Sequence, residues 1–242
     1  MLRLTAFLRE PLDPNVASML WTGATGSPPE ADDNRPREAI RRQAGPFENG
    51  DLEVVVTPGR VDWHMTPRVE PGAEPPPYFA TAESAINTLR HHGSQWLRSA
   101  SPSVNRLALG AILLMPTIDS TSAYEKLGKL LKSVRVDAVH SRDLFYQINW
   151  PQPSRALPNH MLNRLTKWSA IVARRQTFQM VGSQTMQPTA MTEDQYCRLE
   201  CDHNTAAEHS EPFTPEQLDA LFGELCDLAA GNTRNGEVTV GV

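Results

Sequence analysis

Residues 106–115, RLALGAILLM, constrain the fold more than any other segment of the chain. No charged residue follows Arg106 until Asp119. A half-exposed strand does not carry such a run, because its alternate side chains point to opposite faces of the sheet. The segment therefore predicts a strand that is buried on both faces and lies at the centre of its sheet.

Further strands are predicted from the alternation of apolar and polar residues. Leu2–Leu8 alternates in this way, and residues 51–65 read as a hairpin whose turn is Pro58-Gly59. Later segments of the same character are 143–150, 164–181 and 196–203.

Helices are predicted where apolar residues are spaced three and four apart. They cover residues 81–99, 120–134 and 215–230, and a short helix is expected at 37–43. The C-terminal helix has the strongest signal, since Thr214 can cap it, Pro215 takes its first position and Gln217 completes a capping box. Gly231 is expected to end this helix.

Neighbouring strands with few helices between them indicate an α+β fold. We expect one domain over residues 1–242, with a mainly antiparallel sheet of six to seven strands and two to three main helices packed on it. Twenty prolines indicate long irregular connections. Proline-rich loops are predicted near 22–36 and 66–80, and an irregular tail is predicted after residue 231.

Composition narrows the class of protein. No uncharged apolar run is long enough to span a bilayer, so we expect no membrane association through a helix. Three cysteines suit a reducing compartment, and a cytoplasmic location is expected. The net charge of -5 gives no overall attraction to nucleic acid. No nucleotide-binding or hydrolase motif occurs, and we expect no cofactor.

Residues 196–209, YCRLECDHNTAAEH, combine two cysteines with two histidines and raise the question of a metal site. In a strand, Cys197 and Cys201 share one face but lie about 13 Å apart. Two thiolates on one zinc ion lie within about 4 Å of each other. The pattern therefore predicts core residues beneath the final helix, and no metal ligands.

Residues 136–143, VDAVHSRD, offer a second candidate metal site. Asp137, His140 and Asp143 could hold a divalent ion if carboxylates from elsewhere joined them. The same residues are also typical of a solvated loop between a helix and a strand. Both interpretations stay open at this point.

Basic residues concentrate in two parts of this acidic chain, 126–142 and 164–175. Together they could form a cationic surface that binds RNA, DNA or an acidic partner. An ordinary solvated helix face is the alternative. The residues assigned to this candidate surface are Lys126, Lys129, Lys132, Arg135, Arg142, Arg174 and Arg175.

Several segments together resemble a known family. They are LEVVV and VDWHM, then PPPYFATAESAINTL, VNRLALGAILLM, CRLECDHNTA and EQLDALFGEL. Over about residues 51–231 the chain is similar to a sporadically distributed family of uncharacterised bacterial proteins. The resemblance implies a role in mobile or defence-associated gene sets, and it assigns no catalytic residue.

Three functions are compatible with these observations. The first is a non-enzymatic accessory subunit that binds another protein within a larger assembly, with the proline-rich segments and the tail as contact segments. The second is a nucleic-acid-binding module that uses the basic residues. The third is a metal-dependent hydrolase built on Asp137, His140 and Asp143.

Overall fold

The computed structural model describes residues 1–68, 79–99, 103–181, 185–209 and 211–237, with side chains in these ranges except at 177–190. Within these ranges the chain forms ten strands and four helices. In chain order they are β1 (Leu2–Leu8), α1 (Pro14–Thr25), β2 (Ala31–Arg35), β3 (Ile40–Phe47), β4 (Gly50–Thr57), β5 (Arg60–Pro67), α2 (Ala82–Ser99), β6 (Val104–Thr117), α3 (Ser120–Leu130), β7 (Phe145–Asn149), β8 (Gln152–Pro153), β9 (Met161–Val181), β10 (Thr185–Thr205) and α4 (Pro215–Asn235).

All ten strands belong to one antiparallel sheet, so the predicted α+β class is correct. The order across the sheet is β2-β3-β4-β5-β1-β6-β10-β9-β7, and β8 pairs with the end of β9. The predicted numbers of six to seven strands and two to three helices are too low. The difference comes mainly from the first fifty residues.

One face of the sheet is apolar, and the alternating side chains of β1 show which face it is. Leu4 is opposite Trp63 of β5 on one side and Leu109 of β6 on the other, and all three side chains are buried. The helices pack on this face, α1 against β3 and β4, α2 against β1, and α3 and α4 against β6 and β10. The main core therefore lies between the sheet and a single layer of helices.

The opposite face of the sheet is polar. On it the Thr5 hydroxyl donates to Asp62 at 2.6 Å, and Arg60 Nε contacts the same carboxylate at 2.6 Å. Asp62 is buried by the neighbouring side chains, so its charge is balanced within the sheet.

α4 begins where the sequence predicts but ends later. The Thr214 hydroxyl accepts from Gln217 N at 3.3 Å, and Gln217 Oε1 accepts from Thr214 N at 2.9 Å. Gly231 lies within the helix and does not end it. The helix runs to Asn235, and Gly236 ends it with a φ of 73°, which a glycine adopts without strain. The irregular tail predicted after residue 231 therefore starts too early.

The N-terminal region corrects two predictions. Residues 22–36 are not a continuous loop, since α1 reaches Thr25 and Ala31–Arg35 is a strand. This strand lacks an apolar pattern because it is an edge strand whose side chains are all exposed. The helix expected at 37–43 is instead a turn followed by β3, with Ala39 at a φ of 52°.

Other predicted boundaries are close to the observed ones. β6 is buried on both faces only from Leu107 to Ala111, and Leu114 is 39% exposed, so its second half is less covered than predicted. The predicted helix over 120–134 ends at Leu130. Most of the predicted connection 66–80 lies outside the described residues. None of the described helices is long and apolar enough to cross a bilayer.

Close packing of α2 on α4 covers the centre of the sheet. A Cβ at Gly93 of α2 would come 2.5 Å from the Phe222 ring and 3.0 Å from the Leu4 side chain of β1. Phe222 is fully buried, whereas Thr214 is exposed and acts through its cap.

Phe222→Ala should therefore lower the free energy of unfolding by about 3–5 kcal/mol, because it leaves a cavity between α2 and the sheet. Thr214→Ala should lower it by only about 1 kcal/mol, through loss of the cap. Urea unfolding of both variants measures the two values. Equal losses, or a larger loss for Thr214→Ala, would contradict the burial of Phe222 between the helices and the sheet.

Candidate functional site

The two longest strands extend beyond the sheet as a two-stranded ribbon. β9 and β10 each contain 21 residues and pair over nearly their whole length. β7 pairs with β9 only up to Ser169, and β6 pairs with β10 only from Gln195. Residues 173–181 and 185–194 thus have no third strand beside them in the part of the chain that is described. We call these residues the arm, and nine residues of strand span roughly 30 Å.

The charged side chains of the arm form ion pairs with each other. Arg174 Nε lies 2.8 Å from a Glu193 carboxylate oxygen, and Arg175 Nη2 lies 3.1 Å from Asp194. Arg174 and Glu193 are directly opposite each other in the two strands, whereas Arg175 reaches Asp194 diagonally, since Thr192 is opposite Arg175. Arg174 and Arg175 are therefore occupied within the arm, and the structure does not present them as a free cationic surface.

Apolar side chains are exposed on one face of the ribbon. Met191 is 62% exposed in the arm, and Val172 is 45% exposed at its base. The register places both on the same face, about 13 Å apart along the strands. None of the arm side chains that are described is buried, and an isolated two-stranded ribbon is only marginally stable in water.

The basic residues of 126–142 lie on and after α3, which packs across β9 and β10 near the base of the arm. Ala123, Tyr124 and Leu127 are buried under this helix. Four cations of the segment form no ion pair with any described residue: Lys126, Lys129, Lys132 and Arg135. Lys126 is half-buried, whereas the other three are exposed.

Glu237, just after α4, fixes the backbone of this basic segment where it leaves α3. Its carboxylate accepts from the backbone N–H groups of Lys132 and Ser133 at 3.0 and 2.9 Å and from the Tyr146 hydroxyl at 2.7 Å. Burial alone would raise the pKa of Glu237, but these hydrogen bonds hold the pKa below its usual value. The pKa of Tyr146 is raised by burial and by the same contact.

The seven predicted site residues thus fall into two groups. Arg174 and Arg175 are paired in the arm, and Arg142 donates to the backbone oxygens of Val139 and Ser141 at 3.0 and 2.6 Å. The other four form the unpaired cationic group around the end of α3. That the two groups together form one basic surface stays a prediction.

The candidate metal site at 136–143 is a capped turn. Asp137 accepts from the backbone N–H groups of Val139 and His140 and contacts His140 Nδ1 at 3.0 Å. The His140 side chain and these backbone groups hold the pKa of Asp137 below its usual value. Within the described ranges, no three histidine, cysteine, aspartate or glutamate side chains come together as they would around a metal ion.

The cysteines lie in the core, on the face predicted from the alternation. Cys197 Sγ donates to the Ala123 oxygen at 3.1 Å, so it lies under α3 and not under α4. Burial raises the pKa of Cys201 and of Cys226 to about 12. Both are therefore thiols at neutral pH, whereas the thiolate is the form that binds metal and reacts.

Comparison with protein-family models, curated proteins and solved structures finds no match to this chain.

Sequence reasoning identified the basic group but not the arm or the role of Glu237. One signal for the arm was present, because the strand predicted at 164–181 is far longer than the strand at 196–203 that pairs with it. The extra length of the first strand requires either a second partner or a ribbon. Glu237 is preceded by Gly236 in a polar segment, NTRNGE, and no local pattern marks its contacts.

Proposed function

We propose that this protein is a non-enzymatic bacterial interaction subunit that binds another protein through its arm. The assembly would be a multi-protein complex of the cytoplasm, of the kind encoded in mobile-element or defence gene sets. The observation that supports this proposal best is the surface of the arm and its base, where Met191 and Val172 are exposed while the charged side chains of the arm pair with each other.

Charge pairing within the arm favours a protein partner over nucleic acid. A ribbon that tracks a phosphate backbone needs free cations, and binding there depends on the release of counterions. The arm has paired arginines instead, together with exposed Met191 and Val172 at its base. Burial of such side chains against a partner is favourable at roughly 25 cal/mol per Å² of apolar area.

A pair of matched positions tests the proposal. Met191 in the arm and Met19 on α1 are 62% and 67% exposed, so a photo-crosslinking residue at either should leave the fold intact. In the native host, the residue at position 191 should give one discrete adduct with a different protein, and the residue at position 19 should not. Mass spectrometry of the adducts gives the result.

The double variant Val172→Lys and Met191→Lys should elute without this partner in native size-exclusion chromatography. Met19→Lys should still elute together with the partner. Both variants should unfold within about 0.5 kcal/mol of the parent, because surface substitutions away from special features have small effects. Adducts only with a second copy of the chain, or equal adducts at positions 19 and 191, would contradict the proposal.

Nucleic-acid binding is the second candidate, and the unpaired cations around the end of α3 favour it. Exposed cations without carboxylate partners are the groups that contact phosphates. Lys129, Lys132 and Arg135 meet this description. This candidate uses the 126–142 residues alone and does not need Arg174 or Arg175.

If this candidate is correct, the triple variant Lys129→Glu, Lys132→Glu and Arg135→Glu should abolish retardation of single- and double-stranded DNA and RNA at low salt. Arg174→Gln, which removes an arm cation, should leave retardation unchanged. The affinity of the parent protein should also fall steeply with salt. Absence of retardation by the parent, or an equal loss in Arg174→Gln, would eliminate this use of the segment.

A further inference from the structure

A cavity separates the edge of the sheet from the last turns of α4, away from the arm. It measures about 430 Å³, which is within the range of small-molecule sites. Residues of β8, β9 and the second half of α4 form its walls. They include Gln152, Arg155, Arg164, Asp227, Gly231 and Arg234.

Three guanidinium groups line this cavity, from three separate segments. Arg155 follows β8, Arg164 lies on β9 and Arg234 lies in the last turn of α4. Asp227 is the single carboxylate among the described lining residues, and it lies 3.9 Å from Arg155. The cavity therefore offers more positive than negative charge to a ligand.

The ion pairs that two of these arginines make differ in burial. Arg234 lies 2.9 Å from Glu83, and the two side chains are 56% and 52% exposed. Such an exposed pair contributes at most about 1 kcal/mol, so a bound oxyanion could draw the Arg234 side chain toward it. Arg155 is 70% exposed and reaches the buried Glu224 carboxylate at 3.4 Å. That carboxylate also accepts from the Ser154 hydroxyl and from the backbone N–H groups of Arg155 and Ala156, so it keeps these hydrogen bonds when the Arg155 side chain turns toward a ligand.

Arg164 differs because it is buried. Its Nε donates to the Trp150 oxygen at 2.9 Å, which fixes the guanidinium plane, and burial lowers its pKa. The neighbouring His203 is fully buried and does not add charge, since burial lowers its pKa to about 4. The Arg164 guanidinium therefore adds a fixed positive charge to this wall of the cavity.

Gly231 leaves one wall of the cavity bare. It lies within α4, where glycine is roughly 0.5–1 kcal/mol less favourable than alanine. An added Cβ would meet no described atom within 4 Å, so packing does not require glycine at this position. A larger side chain here would extend into open space beside the three arginines.

We propose that this cavity binds a compact phosphorylated small molecule through Arg155, Arg164 and Arg234. The amides of Gln152 and Asn235 also line it and make no side-chain hydrogen bond to a described residue, so they can bind hydroxyl groups. No aromatic ring is present among the described lining residues, which favours a sugar-phosphate type of ligand over one with an aromatic base.

Calorimetric titration with ribose 5-phosphate, inorganic phosphate and citrate tests the proposal on the full chain. Ribose 5-phosphate should bind more tightly than inorganic phosphate, because only the former has hydroxyl groups for the amides. Citrate should bind most weakly, since its three carboxylates do not match a single phosphate site. Citrate binding as tight as that of ribose 5-phosphate, or no binding of any phosphate at millimolar concentration, would overturn the proposal.

Two arginines of equal exposure provide a matched comparison. Arg234 and Arg98 are both 56% exposed, and each pairs α2 with α4 through a surface carboxylate. Only Arg234 lines the cavity. Arg234→Gln should weaken ribose 5-phosphate binding about tenfold or more, as expected for loss of a charge-assisted hydrogen bond, and Arg98→Gln should not.

Gly231→Leu should weaken ribose 5-phosphate binding because its side chain occupies part of the cavity, while the melting temperature stays the same or rises. This variant leaves all three arginines in place, so it tests the cavity without removing a charge. Equal effects of Arg234→Gln and Arg98→Gln, or normal binding by a folded Gly231→Leu variant, would overturn the assignment of the cavity.

Discussion

The antiparallel pairing of β9 with β10 is the constraint on which the rest of the structure depends. One continuous register runs through both strands, broken only by a bulge between Pro188 and Ala190. Where the first half of β9 pairs with the second half of β10, the two strands are flanked by β6 and β7 and covered by α3 and α4. This part of the pair belongs to the core. In the arm the same pairing has no flanking strand among the described residues, and none of the described arm side chains is buried. The pairing of β9 with β10 thus connects the hydrophobic core to the arm, through which we propose that the protein binds its partner.

The helical layer connects the other candidate sites to this pairing. α3 packs on the base of the arm and presents the unpaired lysines, while Glu237 after α4 holds the backbone of Lys132 and Ser133. The last turns of α4, just before Glu237, also line the arginine-lined cavity together with β9. A change in the position of this end of α4 would therefore reach both the basic segment and the cavity.

Much of the fold could be predicted from local patterns, because burial imposes them. Leu2, Leu4 and Ala6 alternate since one face of β1 is core, and Thr214, Pro215 and Gln217 mark the start of α4 since a helix start needs these groups. β2 could not be predicted in this way, because an edge strand with exposed side chains has no apolar period. The end of α4 was misplaced because a glycine within a helix and a glycine that ends one look alike in sequence.

The candidate sites were harder to predict, because they depend on contacts between distant segments. Arg174 and Arg175 look like free cations in sequence, and only the pairing of β9 with β10 brings Glu193 and Asp194 within reach of them. Arg164 reads as a surface cation next to Lys167, whereas it is buried and donates to the Trp150 oxygen. Charge spacing along one strand does not contain this information, since the neutralising carboxylates of the arm lie 19 residues away and Trp150 lies 14 residues from Arg164.

Amide hydrogen exchange of the isolated protein tests the central claim most directly. If the arm has no stabilising neighbour, its amides at 173–176 and 191–194 should exchange at least about 100-fold faster than those at 162–169 and 197–205 of the same two strands, because local opening of the arm costs little. Equal protection along the whole length of β9 and β10 would contradict the account, since it would show that the arm is part of the cooperative core.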